Sequence, residues 1–163
     1  HRATGTEVLL PHFLGLQAEA LGRSGQAEEG LQVADDALEM AHRTGEGYYQ
    51  AELYRIRGQL LLMRRKGRSV SRAATGPGNV RVAEPAAIAE AEGCFNQSIK
   101  IAQQQGATSW ELRATMNLAR LRQRQGRCEE ARSLLARIYD RFTEGFETAD
   151  LRDATSLLAE LSK

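Results

Sequence analysis

Apolar residues recur along most of the chain at every third or fourth position, which is the spacing of a single buried stripe on an α-helix. The clearest stripe lies between Gln26 and Thr44 and consists of Ala27, Leu31, Ala34, Leu38 and Ala41. Gly45 follows this segment, and glycine readily adopts the left-handed backbone conformation that ends a helix. Strand-favouring runs are almost absent from the chain. The pattern therefore predicts an all-α fold.

Three other helices are predicted in the first two thirds of the chain. The first begins near Thr6 or Pro11 and ends by Gly25, and the third spans about 47–65. Pro85 is expected to open the fourth helix, because proline is well tolerated in a first turn.

The last three helices are predicted from the residues at their ends. Thr108 opens the fifth helix with Glu111 three residues later, the spacing of a capping box, and Gly126 ends it. The sixth helix continues until Gly145 breaks it, and Thr148 caps the seventh. About seven helices are expected in total.

Small residues repeat along the chain in one register. Ala18, Gly58, Ala119 and Ala159 lie 40, 61 and 40 residues apart, and the same spacings relate two further sets, Gly30, Ala91 and Ala131, and Gly5, Gly45 and Gly106. The longer interval equals one repeat of 40 plus an insertion of 21 residues. The insertion falls at 67–85, GRSVSRAATGPGNVRVAEP, which has no helical period. We expect a flexible loop there.

These spacings predict a helical repeat array, a kind of fold that mostly binds partners rather than catalysing reactions. We expect one domain, 1–163, taken from a larger protein. Its parts are repeats at about 6–44, 46–105 and 107–142 and a capping helix at 148–162. The expected architecture is an α-solenoid of three helix pairs closed by the last helix.

Within each helix pair, the placement of small residues resembles the tetratricopeptide repeat, in a variant longer than the usual length of about 34 residues. The residues that carry this resemblance are Ala18, Leu21, Gly25, Gly30 and Ala34 in the first copy, Gly58, Leu61, Ala91 and Phe95 in the second, and Ala119, Gly126, Ala131 and Leu135 in the third. The chain departs from the repeat at its usual tryptophan position, which holds Leu14, Tyr54 and Thr115.

A narrower resemblance covers nearly the whole chain outside 67–85. The runs GYYQAELYRIRGQLLL, AEAEGCFNQSIKIAQQQGATSWELRATMNLARL and YDRFTEGFETADLRDATSLLAEL are similar to the C-terminal region of large bacterial signalling proteins. Those proteins join a class III adenylate or guanylate cyclase domain to a STAND-type regulatory ATPase. The resemblance implies a regulatory or assembly module of a cytoplasmic nucleotide-signalling protein, and neither enzymatic activity is expected in this chain.

Charge and cysteine content argue against several classes of function. The formal net charge is +1, whereas a nucleic-acid-binding protein normally has a strongly basic face. The two cysteines, Cys94 and Cys128, lie inside helical patterns, which favours a reducing cytoplasm over a secreted disulfide scaffold. No stretch is long enough to span a membrane. We find no metal-ligand spacing, phosphate loop or nucleophile–base set, so we expect no metal, no cofactor and no catalysis.

The resemblance to tetratricopeptide arrays implies a concave groove lined by the first helix of each pair. In this chain the groove would contain His12, Glu19, Arg23, Glu52, Arg55, Gln59, Arg113, Met116, Arg120 and Arg124. Its third copy is basic, because Arg113, Arg120 and Arg124 follow one another at steps of seven and four. An acidic peptide, a C-terminal carboxylate or another domain of the parent chain is the expected partner.

Three alternatives stay open at this point. The arginines could pair with Glu52, Glu111 and other neighbours as ordinary surface ion pairs. The groove could bind a small effector and relay its presence to an attached ATPase or cyclase. The terminal helices could also pair between chains in a homodimer.

Overall fold

A computed structural model describes the backbone of residues 5–72 and 80–163, and the side chains of residues 9–64 and 85–163. Over these residues the chain forms seven helices and no strand, which confirms the predicted all-α helical-repeat fold. The helices are α1 (Gly5–Arg23), α2 (Ala27–Thr44), α3 (Gln50–Arg72), α4 (Val80–Gln105), α5 (Thr108–Arg124), α6 (Cys128–Tyr139) and α7 (Ala149–Leu161).

Glycines in the left-handed conformation reverse the chain between consecutive helices. The φ angles of Gly25, Gly45, Gly106 and Gly126 are 85°, 73°, 65° and 78°. At three of these turns the next residue donates its backbone N–H to a carbonyl five residues earlier, as in Gln26 to Leu21 at 2.8 Å. This is the Schellman bond that satisfies the last carbonyls of a helix. The 61-residue spacing of Gly45 and Gly106 therefore marks equivalent helix ends.

The chain divides into two compact units, His1–Cys94 and Phe95–Lys163. In the first unit α1, α2 and α3 pack at very short distances, which glycine makes possible. A Cβ on Gly30 would lie 2.9 Å from both the carbonyl oxygen of Ala18 and the Cδ2 of Leu60. A Cβ on Gly22 would lie 2.5 Å from the same Leu60 atom. Two of the sequence markers, Ala18 and Gly30, thus meet where α1 and α2 touch.

In the second unit α5, α6 and α7 share one hydrophobic core. Its buried members are Leu112, Met116, Ala119, Ala131, Leu135, Ile138, Leu151, Ala154, Leu157 and Leu161. Thr148 is the N-cap residue of α7, as predicted, although its hydroxyl donates to the Gly145 carbonyl at 2.7 Å and makes no cap bond. The helix predicted to close the array is therefore packed on the pair that precedes it.

The predicted loop at 67–85 is helical at both of its ends. The helix α3 continues to Arg72 and α4 begins at Val80, while residues 73–79 lie outside the described part of the chain. Once a helix is nucleated, each added residue gains a hydrogen bond, and a Ser or Gly costs only about 1 kcal/mol or less against Ala. Whether the chain is one domain, with the repeat limits expected above, stays a prediction.

One predicted helix start is wrong. Pro85 lies inside α4, five residues after its first residue, rather than in the first turn. Helix α5 begins at Thr108, as predicted, but its N-cap residue is Ala107 and no side chain caps that end. The expected capping box with Glu111 is therefore absent, because the Glu111 carboxylate is held by other partners. The sixth helix also ends earlier than expected, at Tyr139.

We predict that Gly30→Ala destabilises the chain by about 1–3 kcal/mol, the usual cost of overpacking, because α1 and α2 must separate to admit the methyl group. The matched control is Gly93→Ala, in α4, where a Cβ meets nothing within 4 Å. That change should stabilise the helix by about 0.5–1 kcal/mol. Urea unfolding followed by circular dichroism compares the two variants. Equal effects of the two changes would contradict the close-packing argument.

Candidate functional site

A polar network centred on Arg55 connects α1 and α3 in the first unit. The Arg55 guanidinium donates to both carboxylate oxygens of Glu52, at 3.0 and 2.9 Å, and to the side-chain oxygen of Gln59 at 2.8 Å. It also reaches Glu19 on α1 at 3.4 Å, and Arg23 pairs with that same carboxylate at 3.4 Å. Five of the six groove residues predicted in this unit therefore belong to one network.

The burial of Glu52 and Arg55 determines whether their charges can bind a partner. Glu52 is 2% exposed and Arg55 is 7% exposed, so this ion pair is withdrawn from solvent. A buried pair of this kind is costly to break and is already neutralised. The network therefore joins α1 to α3, and the charges of Glu52 and Arg55 are not available to a partner.

The sixth predicted residue of this unit, His12, lies against an aromatic ring rather than in the network. Its imidazole meets the Tyr49 ring edge-on, with the ring centroids 4.4 Å apart. The Nδ1 atom of His12 is buried and has no hydrogen-bond partner among the described residues. His12 is half-buried and contributes packing to the start of α3.

In the second unit, α5 leaves a stripe of basic residues accessible. Eight of the 17 residues of this helix are buried, and the accessible positions on the opposite side include Arg113, Asn117, Arg120 and Arg124. Arg113 donates to the Asp150 carboxylate of α7 at 2.7 Å. Neither Arg120 nor Arg124 forms an ion pair with any residue that the structure describes. We call Arg113, Arg120 and Arg124 the α5 stripe.

The structure places Met116 in the core rather than on the accessible stripe. It is 4% exposed and packs with Leu112 and Ala119 against α6 and α7. Met116 lies four residues after Leu112 and three before Ala119, which is the spacing of the buried face. Met116 is therefore not a groove residue.

A cleft of about 310 Å³ opens among α4, α5 and α6 in the second unit. Its lining consists of Ile99, Gln103, Glu111, Thr115, Leu134, Arg137, Ile138 and Arg141. The nearly buried Glu111 carboxylate accepts one hydrogen bond from Gln103 and one from Arg141, both at 2.9 Å. Sequence reasoning missed this cleft, because its polar members come from segments up to 38 residues apart. The one available signal was an acidic residue within the first turn of α5.

A second charged cluster surrounds Arg57 in the first unit. Its guanidinium donates to Asp35 at 2.7 Å, to Glu90 at 2.9 Å and to the Cys94 sulfur at 3.2 Å. Burial raises the pKa of the Cys94 thiol, and the hydrogen bond from Arg57 opposes that shift only in part. Cys94 is therefore a protonated, unreactive thiol at neutral pH. The cluster ties α2, α3 and α4 together.

Two helices, α2 and α6, begin with a pair of acidic residues that complements the helix dipole. Glu28 and Glu29 lie in the first turn of α2, and Glu129 and Glu130 lie in the first turn of α6, where they complement the helix dipole. Hydrogen bonds from Arg127 lower the pKa of Glu130. Within residues 9–64 and 85–163, no group of three or more His, Cys, Asp or Glu side chains could hold a metal ion.

The fold is that of a helical-repeat protein, and comparisons with known proteins agree. Residues 88–144 match the tetratricopeptide repeat family model. A TPR-like protein from Chlorobium tepidum TLS superposes with a TM-score of 0.61 at 14% sequence identity, covering 97% of this chain and 98% of that one. At that identity the likeness concerns the fold alone. No curated protein matches the chain significantly.

Among the helices of the described residues, none is long and apolar enough to cross a membrane. Both matches are to tetratricopeptide-like proteins, and they give no support for the cyclase and ATPase context that the sequence resemblance implied.

We predict that Arg55→Met destabilises the chain by about 3–5 kcal/mol, because it removes two hydrogen bonds from the buried Glu52 carboxylate. The matched control is Arg23→Met, which removes an exposed ion pair of the same network and should cost about 1 kcal/mol or less. Urea unfolding measures both. If Arg55→Met leaves too little folded protein, the double variant Arg55→Met, Glu52→Leu should restore folding. Equal costs for the two single variants would contradict the role given to Arg55.

Proposed function

We propose that this chain is a non-catalytic module that binds an acidic protein segment, and that the α5 stripe is its main contact. Tetratricopeptide repeats generally mediate contacts between proteins, and residues 88–144 match that family. The single observation that carries the proposal is the distribution of buried and accessible residues on α5. This helix buries one broad face, and the stripe that it leaves accessible on the other side carries three arginines.

The spacing of the α5 stripe suits an extended acidic partner. Arg113, Arg120 and Arg124 are separated by seven and four residues, so they line one side of the helix over about three turns. A guanidinium binds a carboxylate through two parallel hydrogen bonds, which adds geometric specificity to the charge. Arg113 already forms an ion pair with Asp150, so Arg120 and Arg124 supply most of the attraction for an acidic partner.

The remaining groove residues take a lesser part in the proposal. Glu19, Arg23 and Gln59 lie at the edge of the Arg55 network, where Glu19 and Arg23 partly neutralise one another and the uncharged Gln59 accepts a hydrogen bond from Arg55. His12 adds a half-buried ring. We propose that these residues contribute shape and hydrogen bonds to the groove, whereas charge recognition depends on α5.

The cellular setting of the module is an inference from sequence resemblance. We propose that the module belongs to a cytoplasmic bacterial signalling protein with a class III cyclase domain, and that it joins that enzyme to a partner or to another of its own domains. The three runs quoted above support this context, and the segment FTEGFETADL within the third run is the most specific part of the resemblance.

We predict that the double variant Arg120→Glu, Arg124→Glu loses affinity for a glutamate-rich decapeptide with a free C-terminal carboxylate. Two reversed charges should weaken binding by about tenfold or more, because attraction becomes repulsion at both positions. Isothermal titration calorimetry at low salt measures the dissociation constant. Binding by the parent chain should also weaken as salt is raised.

The matched control is Arg43→Glu, Arg152→Glu, which changes the net charge by the same amount at exposed positions of α2 and α7. This control should bind the peptide as the parent chain does. If both double variants lose affinity equally, the attraction comes from net charge and the assignment of the α5 stripe is wrong.

The Glu111 cleft supports a second candidate function, the sensing of a small effector. Ile99, Leu134 and Ile138 form an apolar wall, and Arg137 at the rim makes no ion pair with any described residue. Apolar walls with a few convergent polar groups are typical of small-molecule sites. The arrangement fits a small organic acid with its carboxylate on Arg137.

We predict that Leu134→Trp fills this cleft and abolishes binding of benzoate, a small aromatic acid used as a probe. Saturation-transfer NMR detects such weak binding directly. Ala159→Trp, on the exposed side of α7, is the control and should leave the signal unchanged. Absence of any signal with the parent chain, or its persistence in Leu134→Trp, would count against effector sensing at this cleft.

A further inference from the structure

One arginine of the α5 stripe is occupied by an acidic residue of the chain itself. The Nε–H of Arg113 donates to the Oδ2 of Asp150 at 2.7 Å, and Asp150 lies in the first turn of α7. Leu151 and Ala154 of the same helix are buried in the core of the second unit, so the Asp150 carboxylate is held in place beside α5. An acidic partner that reaches this end of the α5 stripe therefore meets a carboxylate that is already there.

The repeat register shows that packing at this contact does not require an ion pair. Arg113 lies 101 residues after His12, which is one short and one long interval of the repeat. Asp150 follows Tyr49 by the same distance. His12 and Tyr49 meet as two rings, edge-on, with their centroids 4.4 Å apart. The equivalent contact is thus aromatic packing in the first unit and a charged pair in the second.

The Arg113–Asp150 pair is open to solvent and can be broken at low cost. The side chain of Arg113 is 42% exposed and that of Asp150 is 29% exposed. An exposed ion pair adds little to stability, because water screens the two charges and solvates them when they separate. The buried pair of Glu52 and Arg55 in the first unit is the opposite case. The Arg113 guanidinium can therefore exchange Asp150 for another carboxylate.

We propose that Asp150 is a built-in competitor for the α5 stripe, which occupies Arg113 until a carboxylate of the partner displaces it. This inference rests on the proposed binding of acidic segments by α5. Because Asp150 belongs to the same chain, its effective concentration at Arg113 is high and does not depend on the amount of protein. A ligand that binds only the open form loses affinity in proportion to the fraction of molecules that are closed.

This competition favours partners that carry several carboxylates. Arg120 and Arg124 form no ion pair with a residue of the described ranges, so these two arginines attract the partner first. A further carboxylate of the partner gains Arg113 only by displacing Asp150. Segments with a single acidic residue therefore gain least from the α5 stripe.

The opposite role for Asp150 is the positioning of Arg113. A carboxylate that holds one edge of a guanidinium could orient its other N–H groups toward a partner. The two roles predict opposite effects of the same change. Removal of the Asp150 carboxylate strengthens partner binding if Asp150 competes, and weakens it if Asp150 positions Arg113.

Calorimetric titration of Asp150→Asn with the glutamate-rich decapeptide at low salt tests the proposal. The dissociation constant should fall by about two- to fivefold relative to the parent chain, which is the range expected when one exposed ion pair no longer competes. The matched control is Asp153→Asn, which makes the same change of charge at an exposed position of α7. This control should bind the peptide as the parent chain does.

A double variant locates the source of the gain. Asp150→Asn combined with Arg113→Gln should bind no more tightly than Arg113→Gln alone, because the released guanidinium is what the peptide gains. Equal gains in Asp150→Asn and Asp153→Asn would assign the effect to net charge, and weaker binding by Asp150→Asn would assign positioning to Asp150. Either result overturns the competitor.

Failure of the competitor can be told apart from failure of the proposed function. A parent chain that does not bind the decapeptide refutes both. Binding that depends on Arg120 and Arg124 but is unchanged in Asp150→Asn refutes the competitor alone.

Side-chain NMR of the parent chain covers the case in which Asp150→Asn destabilises α7. The Nε–Hε resonance of Arg113 reports its hydrogen bond to Asp150. Saturating decapeptide should shift this resonance, because a carboxylate of the peptide replaces that of Asp150. A resonance that stays in place while the backbone amides of Arg120 and Arg124 shift would contradict the displacement.

Discussion

The packing of the first unit depends on the close approach of its helices at Gly22 and Gly30, where a β-carbon would clash with a neighbouring helix. At Gly30 an added methyl group would press on the backbone of α1, and at Gly22 it would overlap Leu60. These contacts explain why small residues recur at a fixed spacing, since each repeat must present a glycine or alanine where the next helix crosses. The leucine and isoleucine side chains of α3 then fill the surface that the glycines leave open.

The accessible surfaces follow from this packing. Because α3 is covered by the pair before it, its large apolar residues Leu53, Ile56 and Leu60 are buried. The helix α5 buries one broad face in the core of the second unit, so its basic stripe remains accessible on the opposite side. In the first unit, the networks of Arg55 and Arg57 hold charged side chains of neighbouring helices against one another.

Local signals in the sequence predicted most of the fold and little of the site. The stripe of α2 and the helix-ending glycines Gly45 and Gly126 depend on neighbouring residues, and both predictions were confirmed. The partners of Glu111 and the burial of Met116 depend on side chains from distant segments, and those were missed. Pro85 was misplaced because α4 begins five residues earlier, at Val80, and includes the proline despite its usual cost inside a helix.

The central claim is that α5 recognises acidic segments, and backbone NMR of the chain tests it most directly. The glutamate-rich decapeptide is titrated into the isotopically labelled chain, and each amide is followed. The account predicts shifts that concentrate at Arg113, Asn117, Arg120 and Arg124 and that vanish when salt is raised. Shifts scattered over the whole surface, or confined to the residues of the Glu111 cleft, would contradict it.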